Sequence, residues 1–385
     1  MTGPLADLLV LDLTRALAGP HAAMTLGDLG ARVVKIEPPS GDDTRSWGPP
    51  FMDDDERTST YFLSANRNKE SVVLDLKAPD DARLLERMVE RADVLMENYR
   101  PGVLDRLGFS VQRLHELNPR LIVLSITGFG HDGPEAARAG YDQIAQGEAG
   151  IMSLTGVSMP TKVGVPIGDL VAGVNGVVGV LAALHERAST GRGRVVRTSL
   201  LAGMVGFHAF QGTRWTVAHE VPGLAGDHHP SIAPYGLFAT GSAPIQIACG
   251  SESLWRALCG ALGWDPAQEG FATNPERVAN RPSLVERLEA HFATDPAEHW
   301  LALLAEAGVP AGKVRTLDDV YGWDQTRSQG LLIDVEHATQ GALQLPGSPI
   351  RFDDNPFSGG REQHTAPPTL GQHDAAIREW LAAEE

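Results

Sequence analysis

Short β-branched runs alternate with helical patterns through the first third of the chain. Residues 8–13 (LLVLDL), 31–37 (ARVVKIE), 71–76 (SVVLDL), 92–97 (ADVLME) and 120–126 (RLIVLSI) read as strands. A helix is predicted at 22–29. Another is predicted at 78–91, where an Ala-Pro-Asp-Asp start precedes Leu84, Leu85, Met88 and Val89. Strands alternating with helices imply βαβ units, so the first domain should be α/β with a doubly wound parallel sheet.

The pattern changes after Gly140. Helices rich in small residues are predicted at 141–152 and 169–187, and in the second Gly173, Gly176 and Gly179 form a flat stripe suited to close packing. The longest apolar stretch, 170–184, is broken by Asn175 and three glycines and falls short of the roughly 18 residues a membrane span needs. A strand at 195–198 and a helix near 201–217 follow. The expected division is a large domain from 1–221, a Gly/Pro/His-rich linker at 222–234, a smaller α+β domain at 235–325, and a return to the large domain at 326–385. The small domain should hold a strand at 245–249 and helices at 254–262, 284–293 and 298–307, and a last helix is expected at 375–383.

The length, 385 residues, suits two such domains. With 49 acidic and 32 basic side chains the formal charge is -17, which disfavours nucleic acid or an anionic membrane as partner. Two cysteines exclude a disulfide framework, and the N-terminal MTGPLADLLVLDL lacks the basic start of an export signal, so a cytoplasmic location is expected. No metal site is expected: His228 and His229 are adjacent, and His185-Glu186 has Ser189 where a metalloprotease helix needs a second histidine. Cys249 and Cys259 fall on apolar faces, where burial makes a thiol inert. Gly128–Gly133 fits G-x-G-x-x-G after a strand. Pro134 follows at once, and no acidic partner stands about 20 residues on, so a plain loop is the better reading than a dinucleotide site.

Asp169, in Val-Pro-Ile-Gly-Asp before the long apolar helix, carries more. From spacing alone a helix N-cap is the commoner reading. The other is a poorly hydrated carboxylate acting as nucleophile. Arg15, Arg45, Arg67, Lys69, Arg100 and Arg106 sit at the ends of the early strands or in the loops after them, where an open α/β sheet binds ligands. A basic crevice in an acidic chain suggests a small anionic ligand.

Eight segments, in order along nearly the whole chain, resemble the class III CoA-transferase family, which includes formyl-CoA transferase, carnitine CoA-transferase and 2-methylacyl-CoA racemases. They are LDLTRALAGPHAAMTLGDLGARVVKIEPPSGDDTRSWGPP, NRNKESVVLDLK, MENYRPGVLDRLGF, SITGFGHDGPEAARAGYD, VGVPIGDLVAG, HERASTGRGRVV, HPSIAPYGLF and APPTLGQH. The wording looks closest to the dicarboxylate-using transferases of the succinate–glutarate or itaconate type. The resemblance implies transfer of CoA between carboxylic acids, succinyl-CoA and a small dicarboxylate being preferred, with acyl-CoA as substrate and no tightly bound cofactor. It places the nucleophilic aspartate at Asp169, which reverses the cap-first ranking, and an aromatic residue near the reacting carbonyl at Tyr141. CoA contacts carry over to Ala16, Leu17 and Ala18, to Asn98, Tyr99 and Arg106, and, because Pro38 replaces an arginine of some relatives, to Arg45 or Arg67. Some relatives have glutamine in place of Leu17. The implied fold is a Rossmann-like large domain, formed by both ends of the chain, plus the small domain, in an interlocked homodimer.

Racemisation is the nearest competing chemistry. It needs an acid–base pair, and where the racemases carry Gly-His-Asp this chain has Gly140-Tyr141-Asp142; tyrosine, with a pKa near 10, is a poor base at neutral pH. Asp142 is then expected to orient a loop. The chain also lacks, between Gly226 and Gly250, the glycine run of formyl-CoA transferases. An acyl-CoA-binding protein without catalysis is the alternative from another class.

Overall fold

The early apolar runs and the run at 195 pair into one parallel sheet in a computed structural model that describes residues 3–53, 58–353 and 358–383. Its strands are β1 (Leu9–Asp12), β2 (Arg32–Glu37), β3 (Lys69–Val73), β4 (Val94–Glu97), β5 (Ile122–Thr127) and β6 (Val195–Ser199). They lie in the order β3-β2-β1-β4-β5-β6, every pair parallel. The order reverses between β1 and β4, so the loops leaving these two strands diverge and open a crevice at their carboxyl ends. The α/β expectation holds.

The helices of this unit are α1 (Ala18–Asp28), α2 (Thr60–Ser64), α3 (Pro79–Arg91), α4 (Val103–Arg106), α5 (Val111–Leu117), α6 (Asp142–Glu148), α7 (Ile167–Thr190), α8 (Leu200–Gly206) and α9 (Ala209–Thr216). Two of the expected helices come out shorter or divided: 141–152 is α6 plus a 3-10 turn, and 201–217 breaks between α8 and α9. Side-chain alternation explains the continuous apolar runs. Val10, Met96, Leu124 and Ile126 pack with residues of α1 and α7 on one face, while Leu9, Leu11, Leu95 and Val123 pack with α3 and α5 on the other.

The 24-residue α7 is longer than the apolar run predicted, because Asn175 and the glycines lie within it. It reaches the length and apolarity of a membrane span, with mean hydropathy 1.9, and 44% of that window is buried inside the protein. The glycine stripe is a packing device. A Cβ on Gly173 would stand 2.7 Å from the Ala18 carbonyl oxygen of α1, and one on Gly179 would stand 2.4 Å from Val196 of β6. Both approaches are closer than a methyl group tolerates.

The chain forms two compact units, the first from the described residues of Met1–Ile151, Val163–His219 and Tyr321–Glu385. Its last part holds α15 (Asp324–Ser328), the antiparallel pair β10 (Leu332–His337) and β11 (Gly341–Pro346), and α16 (Asp374–Ala382). The second unit, Met152–Lys162 and Glu220–Val320, has an antiparallel sheet β7 (Tyr235–Phe238), β8 (Ile245–Ala248) and β9 (Ala311–Lys313). Helices α10 (Glu252–Leu262), α11 (Asn274–Ala279), α12 (Arg281–Phe292) and α13 (Ala297–Glu306) complete it, with α14 (Leu317–Gly322) at the junction. Residues 222–234, read from sequence as a linker, fall in this second unit, where His228 bridges Gly236. Cys249 and Cys259 lie in its core, and burial pushes their thiols up to about 12 and about 11.

Candidate active site

Asp169 is the third residue of α7, inside its first turn, and the helix is preceded by Pro166 without a side-chain cap. The N-cap reading is therefore wrong: a proline that begins the turn leaves the aspartate too deep in the helix to cap it. Its carboxylate accepts no hydrogen bond among the described residues. Helix-start amides favour the ionised form. Burial outweighs them, and the charge of Asp142 adds to it, so the Asp169 carboxyl is pushed up to about 7.

Asp142 is tied elsewhere. Its Oδ1 accepts from the Gly168 amide at 2.8 Å and its Oδ2 from Gln146 Nε2 at 2.7 Å, while Gln146 Oε1 accepts from the Val163 amide at 2.9 Å. The three contacts fix the chain entering α7, and with it the backbone of Asp169. A Cβ at 168 would crowd this contact, standing 3.1 Å from Asp142 Oδ1 and 2.9 Å from the Met204 methyl. The expectation that Asp142 orients a loop agrees with this geometry.

Tyr61 of α2 was not legible from sequence. Burial first, and then the charges of Asp169, Asp142 and Asp42, raise its hydroxyl to about 12, so it stays protonated near these carboxylates. Its ring meets Trp47 edge-on at 5.1 Å. Trp47 in turn lines a cleft at the carboxyl ends of β1, β4 and β5.

That cleft sits where the strand order reverses. One wall is the loop after β1, where Ala16 has a positive φ of 65°. Asn98 clamps the same loop, with Oδ1 accepting from the Arg15 amide at 2.8 Å and Nδ2 donating to the Arg15 carbonyl at 2.7 Å. Below it lies a buried ionic layer. Lys35 Nζ donates to the Thr14 carbonyl and to Asp42 Oδ2, and Lys69 Nζ donates to Asp12 Oδ2, all at 2.9 Å. Burial brings Lys69 down to about 8, so it remains mostly charged at neutral pH. A fully buried ammonium needs such partners, and they hold the loop from beneath.

The sequence-derived contacts separate into two groups. Ala16, Asn98, Tyr99 and Tyr141 line the cleft, Tyr141 being 64% exposed. Leu17 and Ala18 are buried at the start of α1, against α7 one turn beyond Asp169. Arg45 and Arg67 do not line it. Arg45 donates to Glu37 at 2.7 and 2.8 Å and lies over the Phe62 ring, and Arg67 is buried against Asp28 at 2.8 Å. Their forks are used by internal carboxylates that would otherwise be buried without a counter-ion. Arg106 is exposed and also outside the lining. The guanidinium groups that do line the cleft belong to Arg15, Arg100 and Arg138. Arg15 is 3.6 Å from Asp43, Arg138 pairs with Glu135 and Glu148, and Arg100 makes no ion pair among the described residues.

Gly128–Gly133 forms a loop, and the next helix, α6, begins only at Asp142. Its amides therefore do not form the helix start that a dinucleotide pyrophosphate needs. A Cβ on Gly128 would stand 2.8 Å from Gly140, so the glycine permits this loop to close on itself.

The profile of CoA-transferase family III matches residues 5–374. The acetyl-CoA:oxalate CoA-transferase of Acetobacter aceti is 40% identical, across 100% of this chain and 97% of that protein. The succinyl-CoA:glutarate CoA-transferase of Mus musculus is 38% identical, across 97% of this chain and 85% of that protein. Among solved structures, a CaiB/BaiF family protein from Brucella suis superposes with a TM-score of 0.87 at 41% identity, covering 99% of this chain and 100% of that one.

Proposed function

The chain belongs to CoA-transferase family III and is an enzyme of that type, and from this we propose that it moves CoA between carboxylic acids through the Asp169 carboxylate, with succinyl-CoA and a small dicarboxylic acid as substrates. The observation that carries the reading is Asp169 itself. Its carboxylate is unbonded and poorly solvated, and its backbone is held through Gly168 by Asp142, the residue after Tyr141 of the arginine-lined cleft.

In the proposed route an Asp169 carboxylate oxygen attacks the thioester carbonyl of the donor, and CoA leaves as thiolate. The product is a mixed anhydride between Asp169 and the donor acyl group. The thiolate then attacks the Asp169 carbonyl, the donor acid departs as carboxylate, and an aspartyl-CoA thioester remains. The acceptor carboxylate attacks that thioester and expels the thiolate, giving a second anhydride. Attack of the thiolate on the acceptor carbonyl forms the new acyl-CoA and frees Asp169. Each step exchanges one activated acyl bond for another, so no oxidant, metal or tightly bound cofactor enters. A carboxyl near pKa 7 is a stronger nucleophile than an ordinary aspartate once ionised, and about half ionised at neutral pH.

Tyr61 and Trp47 supply the wall next to Asp169, with the phenol placed to donate to oxyanions that form at the reacting carbonyl. Tyr141 supplies a second aromatic surface. Arg15, Arg100 and Arg138 suit the phosphates of CoA, with Ala16, Asn98 and Tyr99 lining the cleft beside them. The dicarboxylate class is supported by the two relatives named above, which use oxalate and glutarate. Racemisation is disfavoured, because both oxygens of Asp142 are engaged.

A homodimer is part of the proposal. Val174 and Val178 of α7, Val205 of α8, Phe207, and Phe210 and Trp215 of α8's successor α9 are 47–60% exposed. An apolar patch of this kind on α7–α9 suits a second copy of the chain. The activity is tested by incubating the protein with succinyl-CoA and a panel of mono- and dicarboxylic acids, following new acyl-CoA species by mass. Transfer to a dicarboxylate is expected. A monocarboxylate that clearly wins overturns the substrate class, and hydrolysis without transfer overturns the activity.

A further inference from the structure

A hydrogen-bonded line runs through the strand ends behind the cleft. Glu97, at the end of β4, is the register partner of Ser125 in β5, and both are buried. The Ser125 hydroxyl donates to Glu97 Oε1, and His131 Nε2 lies 2.7 Å from the same hydroxyl oxygen. Glu97 Oε2 accepts from the Tyr99 amide at 2.8 Å. His131 stands in the glycine-rich loop after β5 and is not among the residues lining the cleft, whereas Tyr99 is.

With Glu97 ionised, the protons of this line have one assignment; burial raises the Glu97 carboxyl, and the hydrogen bonds from Ser125 and the Tyr99 amide offset part of that rise. An ionised carboxylate only accepts, so the single hydroxyl proton of Ser125 goes to Glu97. The nitrogen facing Ser125 must then be an N–H, which fixes the Nε2–H tautomer of a neutral imidazole. Burial and then the charge of Arg197 lower the His131 pKa, in keeping with a neutral ring. Glu97 thereby accepts from Ser125 on one oxygen and from the Tyr99 amide on the other. Asn98, between them, clamps the Arg15 backbone. One line of contacts thus joins the loops after β1, β4 and β5, which together wall the cleft.

We propose that His131 is a positioning residue: through Ser125 and Glu97 it holds the Asn98–Tyr99 wall of the cleft in the geometry that binds the CoA thioester. The inference rests on the CoA-transferase reading of the cleft. Two substitutions separate it from a general packing role. His131→Leu keeps bulk and removes the donor, while in His131→Gln the amide Nε2–H reaches about as far from the backbone as the imidazole Nε2–H.

The experiment measures amide hydrogen exchange of the peptide carrying Tyr99, together with KM for succinyl-CoA and kcat, in wild type and both variants. His131→Leu should speed exchange at Tyr99 and raise KM roughly five- to tenfold, about what one lost hydrogen bond gives, with kcat within about twofold. His131→Gln should restore both. Unchanged exchange at Tyr99 in His131→Leu, or a Gln variant as impaired as the Leu variant, overturns the proposal. So does a fall in kcat that accompanies an unchanged KM. If exchange responds as expected but wild type transfers no CoA, the line of contacts stands while the activity reading and the assigned role in CoA binding fail.

Discussion

Replacing Asp169 by asparagine should make the protein more stable, by an amount that grows with pH. The carboxyl is pushed from 3.8 to about 7, by burial first and Asp142 second. Below 3.8 folded and unfolded chains both hold the proton, and the group adds nothing. Between 3.8 and about 7 the folded chain keeps a proton that the unfolded chain has lost. Stability therefore falls as pH rises through that window, and above it the full cost remains. A shift of about three units corresponds to ~4 kcal/mol, and because the carboxylate keeps some contact with solvent, about 2–4 kcal/mol is the expected gain at pH 8. For a chain of this length that is a rise of roughly 2.5–5 °C in the melting temperature. At pH 5 the gain should fall to less than about half. Asparagine has no charge to desolvate, and the native carboxylate has no hydrogen bond to lose. Melting curves of wild type and Asp169→Asn at pH 5 to 8 read the difference directly. A gain that does not vary with pH, or a variant less stable than wild type at pH 8, refutes the reasoning.

The same raised pKa sets the rate: kcat/KM should decline about tenfold per pH unit below about 7, as the nucleophile takes up its proton. Asp142→Asn should move that limb to lower pH, seen in a pH–rate profile. The side-chain amide that substitution brings against Gln146 Nε2 should cost roughly 1 kcal/mol in thermal stability. Tyr61→Phe should lower kcat by about 10–100-fold with little change in melting temperature, since only a hydroxyl near the carboxylates is lost. Arg100→Ala should raise KM for acyl-CoA several-fold and leave the melting temperature unchanged. Arg67→Ala should do the reverse, destabilising by about 3 kcal/mol because the buried Asp28 loses both hydrogen bonds from the guanidinium.

The sheet was legible because two-sided burial writes itself into sequence as apolar runs such as 8–13 and 120–126. The stripe Gly173, Gly176 and Gly179 also announced its use, since only close packing calls for glycine at that spacing on a helix. Asp169 stood out by its place before an apolar helix. Whether it caps depended on the helix register, which Pro166 decides. Residue type at strand ends did not separate free arginines from engaged ones: Glu37 and Asp28, which hold Arg45 and Arg67, reach them only through the packing of the fold. Arg138 was missed because it stands well beyond the end of β5, between the Gly128–Gly133 loop and α6. Tyr61 was missed because α2, at five residues, is too short to show a period, and its proximity to Asp169 is a product of the tertiary structure.

The central claim is that acyl groups and CoA pass through the Asp169 carboxylate. Its most direct measurement is mass spectrometry of the peptide containing Asp169 after incubation with succinyl-CoA and a hydroxylamine quench. The account predicts a hydroxamate at Asp169 that requires the thioester, is absent from Asp169→Asn, and is accompanied by loss of transfer in that variant. Normal transfer by Asp169→Asn, or trapping at another residue with Asp169 unmodified, contradicts it.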